Sequence, residues 1–266
     1  MDPEDILSSS LGTLYDYTPI THSSPGGSFT YTNRSEDRDP DLPTPTITLS
    51  TPDTQAEHWS LHASSIWVSA LYVADHISEL GLPTNTPLRL IELGAGAGLP
   101  SILIAKSYPH IHVIASDFPD PLLIHTLRSN VARNDASANC SIIPHAWGTD
   151  PSALLLPAAD VVLAADTLWN PELHAALLRT TCAVLARTPA ARAHFVAGLH
   201  TGRYTLDSFL RAAGDAGLEL VEAIEREVQG EGRCREWNVR RAESEDEDER
   251  ERRRWVVWSV LKWEGL

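Results

Sequence analysis

Short apolar runs recur along the chain, separated by stretches with helical spacing. Leu88–Leu93, His112–Asp117, Cys140–Pro144, Asp160–Asp166 and His194–Leu199 are mostly continuous, the signature of strands buried on both faces of a parallel sheet. Helices are predicted between them. His58–Leu80 carries Ile66, Ser69, Ala70, Val73, Ala74 and Ile77 at steps of three and four, with Gly81 placed to end it. Leu99–Lys106, a stretch from Pro121 to about Asn134, Pro171–Arg187 and Tyr204–Ala216 read the same way. Leu218–Val228 and Trp255–Trp263 are the last two strands, and the second alternates clearly. With a loop and no helix between them, they should pair antiparallel. The alternation of strands and helices predicts one right-handed α/β domain with a mostly parallel sheet of seven strands and an antiparallel last strand.

The first fifty residues break the pattern. Residues 1–50 are rich in Pro, Ser, Thr, Gly and Asp and read as a polar N-terminal arm, partly disordered, with Thr46–Leu49 as a short edge strand. The domain proper is expected over 51–266. Within it, Glu243–Glu249 runs into Arg250–Arg254, so 243–254 reads as a solvated charged loop.

Composition narrows the classes. The chain has 266 residues, enough for one large core. No apolar run is long enough to span a bilayer, and the start Met1-Asp2-Pro3-Glu4-Asp5 lacks the basic face of a signal or transit peptide. Cytosol, or cytosol plus nucleus, is the expected compartment, with no membrane partner and a monomer expected. The net charge of −15 argues against nucleic acid and favours encounter with a basic partner. Cys140, Cys182 and Cys234 form no C-x-x-C pair, so no metal site is expected.

The chemistry gathers where strand Leu88–Leu93 meets Gly94-Ala95-Gly96-Ala97-Gly98. Alternate glycines allow positive φ and a close approach of ligand to backbone. The third glycine comes one residue too early for G-x-G-x-x-G, and no Gly-Lys-Ser/Thr follows, so neither a dinucleotide fingerprint nor a P-loop fits. What remains is acid-x-Gly-x-Gly-x-Gly, from Glu92 to Gly98. Asp117 ends the next strand about twenty residues on, where a carboxylate offers two acceptors to a ribose diol, the reading favoured here with Glu92 upstream; a cap on the following helix is the alternative, and both can hold. Trp147 could stack on an adenine. Asp166, Thr167, Leu168 and Trp169 end the fourth strand, at the sheet edge where doubly wound folds bind ligands. Asp166 reads either as an acceptor for a substrate amine or as the cap of the helix at Pro171.

The glycine pattern resembles the first motif of the seven-strand S-adenosylmethionine-dependent methyltransferases. Over about residues 58–266 the chain is similar to their lysine and N-terminal protein methyltransferases, and most to a fungal subgroup labelled nicotinamide N-methyltransferase-like, whose members methylate translation elongation factor 1-alpha. The residues that carry the likeness are the Trp67 segment, Glu92–Gly98, Ser116–Asp120, Ala146–Gly148, Ala165–Trp169 and Gly198–Arg203. The resemblance implies a Rossmann-like doubly wound sheet and S-adenosyl-L-methionine as cofactor. It places Trp67, Gly94, Ala95, Gly96, Asp117, Trp147 and Ala165 around that cofactor, beside the pattern residues Glu92 and Gly98. Asp166 and Trp169 become the catalytic pair: Asp166 to hold the amine, and Trp169 to wall its channel and attract its cation. His200 is a possible proton acceptor, although a lone histidine at a strand end is more often structural. Two departures stand out: Trp59-Ser60-Leu61-His62 replaces the usual Trp-Gly-His, and Trp169 replaces a Tyr or Phe. The implied activity is methyl transfer to a protein amine, with elongation factor 1-alpha as the implied acceptor. The alternatives are a small-molecule, nicotinamide-type N-methyltransferase and a non-catalytic cofactor-binding module.

Overall fold

Among the described residues four short strands precede the main sheet. A computed structural model describes residues 18–32, 46–54, 56–155, 157–229 and 231–266. In it β1 (Thr21–His22) pairs antiparallel with β4 (Ile66–Trp67), and β2 (Ser28–Thr32) with β3 (Thr46–Ser50). The stretch expected as a polar arm is therefore partly structural. Tyr31, Ile47 and Leu49 are buried, because β3 lies against the helix Pro121–Arg133. That helix presents Asn130 and Asn134 to the strand's backbone. Asn130 Oδ1 accepts from Ser50 N at 2.8 Å and Asn134 Oδ1 accepts from Thr48 N at 3.0 Å, while their amide nitrogens donate to Ser50 O and Thr48 O. Two side chains thus satisfy a strand edge in place of a partner strand. The rest of the expected arm, 1–17 and 33–45, lies outside the described residues.

The central sheet is built from β5 (Leu88–Leu93), β6 (Ile111–Asp117), β7 (Cys140–Pro144), β8 (Val161–Ala165), β9 (Arg192–Gly198), β10 (Leu218–Glu227), β11 (Cys234–Glu236) and β12 (Trp255–Trp263). Their order is β11-β10-β12-β9-β8-β5-β6-β7. Strands β5 to β9 are mutually parallel; β12 enters antiparallel between β9 and β10. The sheet has eight strands where seven were expected. The extra one, β11, is a three-residue edge strand with no apolar alternation. Alternating arginines and glutamates hold it instead: Arg235 donates to Glu225 at 2.7 Å and to Glu247 at 2.8 Å. The alternation of β12 predicted a half-buried strand, yet Trp255, Val256, Val257 and Trp258 are all buried, since the strand has a neighbour on each side and helices on both faces.

Each face carries its own apolar layer. Val73, Leu103 and Leu127 pack on one, and Leu177, Leu178 and Phe209 on the other. The order of the strands reverses at β5, whose neighbours are β6 and β8. The crevice at a reversal opens beyond the carboxyl ends of those strands, which fixes the place for a ligand.

Two expectations need correction. His58–Leu80 is not one helix. A 3-10 turn (Ala56–Leu61) leads through the bridge at Ile66–Trp67 into the helix Val68–Asp75, and a second 3-10 turn follows over Ile77–Leu80, ended by Gly81 at φ +63°. The break has two causes: His62 sits at φ +52°, and Val68 N donates to Ile20 O, so β1 takes the backbone bonds a longer helix would need. The 243–254 block is also anchored. It contains two helical turns (Arg241–Ser244 and Glu249–Arg253), and Glu247 accepts from the buried Arg203 at 2.8 and 2.7 Å. Arg203 also forms a bidentate pair with Glu225. Glu247, Arg252, Arg253 and Arg254 are partly buried, and the rest of that block is exposed.

Candidate active site

The turn after β5 is shaped by backbone that only glycine accommodates cleanly. Gly94 and Gly98 stand at φ +80° and +88°. A Cβ on Gly94 would lie 2.7 Å from the Thr167 methyl, and one on Gly98 would lie 2.6 Å from Leu127 Cδ1. Gly96 differs. A Cβ there would meet nothing within 4 Å, so its missing side chain leaves room for a ligand rather than for protein. The turn is tied down by Gly94 N and Ala95 N, which donate to Ser116 O at 2.8 and 3.0 Å, and by Asn130 Nδ2, which donates to Ala97 O at 2.9 Å.

Two carboxylates flank this cradle. Glu92 is fully buried; its Oε2 accepts from Ser101 N at 3.0 Å and from the Ser101 hydroxyl, at the start of the helix Leu99–Ser107. Burial pushes its acid up to about 8, against the pull of those bonds, and the nearby Asp117 pushes it further. Asp117 accepts from Gly96 N and Phe118 N, each at 2.7 Å. Burial raises it to about 6, against those two bonds, with Asp120 adding to the rise. The helix at Pro121 is capped by Asp120, which accepts from Leu122 N and Leu123 N, so Asp117 is not its cap. Two raised acids beside one cavity form a place suited to a cation.

The other end of the cavity is aromatic. Trp67 and Trp169 both stand edge-on to His62, at 6.1 and 4.8 Å between ring centroids, and Trp67 Nε1 donates to His62 O at 2.7 Å. Behind Trp67, His200 stacks at 5.6 Å and 15°. His200 is not among the lining residues. Burial holds its imidazole below the usual range, against the opposing pull of Asp166. It supports the tryptophan instead of facing the cavity.

Asp166, at φ +53°, closes the floor. Its Oδ2 accepts from Ser69 N at 3.1 Å and its Oδ1 from Gly198 N at 2.9 Å, which ties the helix Val68–Asp75 and the end of β9 to β8. Asn170, not Asp166, caps the helix Pro171–Val184, by accepting from Glu172 N at 3.0 Å.

Of the residues expected at the site all but His200 line one cavity: Trp67, Glu92, Gly94, Ala95, Gly96, Gly98, Asp117, Trp147, Ala165, Asp166 and Trp169. The residues assigned to the site from sequence left out other lining residues, chiefly His62, Phe118 and His145, and Thr167 was placed at the ligand-binding sheet edge without a role. The buried Thr167 hydroxyl has no hydrogen-bond partner among the described residues, so it is available to a ligand. His62 lay inside the predicted helix and was marked only by its place in the altered Trp-Gly-His segment. The side chain of Trp59 lies outside the described residues. Among the described residues no cluster of His, Cys, Asp and Glu is placed to hold a metal, and no helix is long and apolar enough to cross a membrane.

The cavity suits a ligand with a diol, an aromatic base and a positive charge. Asp117 offers acceptors at one end, Trp147 a ring over Gly94, and Glu92 a counter-charge. Solved structures share the fold. A glycopeptide N-methyltransferase in complex with sinefungin superimposes with a TM-score of 0.53 at 11% identity, over 74% of this chain and 87% of that one. Curated sequences are nearer. The protein N-terminal and lysine N-methyltransferase of Schizosaccharomyces pombe is 30% identical over 140 residues, which cover 50% of this chain and 54% of that protein. The enzyme of the same name from Yarrowia lipolytica is 28% identical over 184 residues, covering 60% and 66%. The match thus spans between half and two thirds of the length of these relatives. A family model described as lysine methyltransferase matches residues 53–211, which contain the glycine cradle, both raised acids and the aromatic wall, and the chain belongs to that family.

Proposed function

We propose that the chain is an S-adenosylmethionine-dependent N-methyltransferase acting on a protein amine, a lysine or an N-terminal amine. One observation carries the reading: a glycine cradle flanked by two buried carboxyl groups and an aromatic wall with Asp166 at its floor line one cavity. When bound, the cofactor supplies an electrophilic methyl group and a leaving thioether. The protein then has three tasks.

The first is binding. Asp117 would take the ribose hydroxyls, Trp147 the adenine face, and Glu92 would balance the positive charge near the glycines. The second is alignment. Trp67 and Trp169 bound a narrow approach to the methyl carbon, and their faces attract an ammonium before it is deprotonated. Asp166 holds two backbone N–H groups, so it fixes the positions of Trp67 and β9 and has lone pairs left for the amine. The third is exclusion of water from the reacting atoms, which the buried floor of Ala165, Asp166 and Thr167 provides.

The acceptor is expected to be basic, because the chain carries a net charge of −15. Elongation factor 1-alpha is the named acceptor, through the likeness to its methyltransferases. The enzyme would work as a monomer in the cytosol. Purified elongation factor 1-alpha and nicotinamide, offered separately with labelled cofactor, test the choice. Label on the protein supports it. Efficient labelling of nicotinamide with none on the protein would make the chain a small-molecule enzyme, and no turnover of either with intact cofactor binding would favour a binding module.

A further inference from the structure

The proposed reaction needs a neutral amine, and a lysine or N-terminal amine arrives with a proton to lose. Five lining residues carry titratable groups: His62, Glu92, Asp117, His145 and Asp166. Four of them are buried and hold partners inside the protein. Glu92 is bound by Ser101, far from solvent, and Asp117 holds Gly96 N and Phe118 N on the cofactor side. His145 is buried against Thr180, with Nε2 to Oγ1 at 3.3 Å. Asp166 is buried, and each of its oxygens accepts from a backbone N–H. His62 is different. It is exposed, it lines the cavity at the end walled by Trp67 and Trp169, and its ring stands edge-on to both. Its backbone carbonyl is fixed by Trp67 Nε1. A ring at that place touches the channel on one side and solvent on the other.

From this geometry we infer that His62 is the proton acceptor for the incoming amine. The inference rests on the proposed methyl transfer to a protein amine. An N–H bond of the ammonium breaks, its electron pair stays on nitrogen, and the proton passes to an imidazole nitrogen of His62. From the exposed ring it goes to water. The freed pair on nitrogen forms the new bond to the methyl carbon, with the electrons of the carbon–sulfur bond passing to sulfur. Among the titratable groups around the His62 ring, Asp166 lines the same cavity and His200 stacks on the far side of Trp67.

The same geometry admits a purely structural role, in which the ring only props Trp169. His62→Phe separates the two, because it keeps a ring edge against both tryptophans and removes the proton acceptor. His62→Asn removes the ring but suits the positive φ. The experiment measures kcat against pH on a methylated protein acceptor, together with cofactor affinity by calorimetry. Loss of proton transfer should lower kcat at pH 7 by roughly 10²-fold in both variants, with cofactor affinity within about twofold of wild type. The acid limb of the pH profile should move up in both variants, towards the ionisation of the free amine. His62→Phe with wild-type kcat and an unmoved acid limb would overturn the role, as would a parallel loss of cofactor affinity. A wild-type chain that binds cofactor and labels no protein would remove the underlying reading, and the inference with it.

Discussion

Replacing Glu92 with glutamine should flatten the pH dependence of stability in the ligand-free protein. In the folded chain the acid is raised from 4.5 to about 8, chiefly by burial. Below pH 4.5 both folded and unfolded chains hold the proton, and Glu92 contributes nothing. Above it the unfolded chain releases the proton while the folded chain keeps it, so the unfolded state binds fewer protons and stability falls with rising pH. The fall continues until pH passes about 8, where both states are ionised. Between pH 5 and pH 8 it amounts to about 3 kcal/mol, taken from the size of the shift at 1.36 kcal/mol per unit and allowing for partial titration at each end. Glutamine keeps an acceptor for Ser101 N and cannot ionise. Urea unfolding at pH 5 and pH 8 measures both proteins. Wild type should lose about 3 kcal/mol more than Glu92→Gln across that range. A cationic ligand should stabilise wild type more strongly at pH 8 than at pH 5, since binding draws the acid down. Equal slopes in the two proteins, without ligand, would refute the buried-acid argument.

Gly98→Ala should destabilise by about 2–4 kcal/mol, combining a left-handed backbone with a clash on Leu127; unchanged urea stability would contradict the turn geometry. Asp166→Ala strands the backbone N–H groups of Ser69 and Gly198, so it should cost about 2–5 kcal/mol and lower turnover more than cofactor affinity. A variant of wild-type stability would show that neither bond matters. Glu247→Ala removes one of the two acids around the buried Arg203 and should cost about 3–5 kcal/mol, measured by denaturant midpoint. A loss below about 1 kcal/mol would mean that the 243–254 block is solvated, as its composition alone implies.

The parts of the fold that were legible in the sequence share a local cause. Continuous apolar runs became β5 to β9, because a parallel strand covered on both faces needs no polar positions. The glycine turn, Asp117 and Asp166 were legible because strand-end carboxylates and alternate glycines have few other uses at those places. Non-local bonding was hidden. The segment around His62 has helical spacing, yet Ile20 and His22, more than forty residues away, draw Ile66 and Trp67 into a bridge and put His62 on the cavity wall. Edge strand β11 was invisible for a similar reason: its stability comes from Glu225, Glu247 and Arg203, residues of three other segments. The polar stretch at 46–50 looked peripheral because its partners are asparagine side chains on a distant helix, and no apolar pattern records them.

Incubating the purified protein with S-adenosylmethionine labelled in the methyl group and a lysate stripped of small molecules, then mapping the label by mass spectrometry, tests the central claim most directly. The account predicts label on lysine or N-terminal amines of one or a few basic proteins, weakening as salt is raised and lost in Asp117→Ala. A chain that binds the cofactor and leaves every protein unlabelled, while small amines added back to the same reaction are methylated, would contradict it.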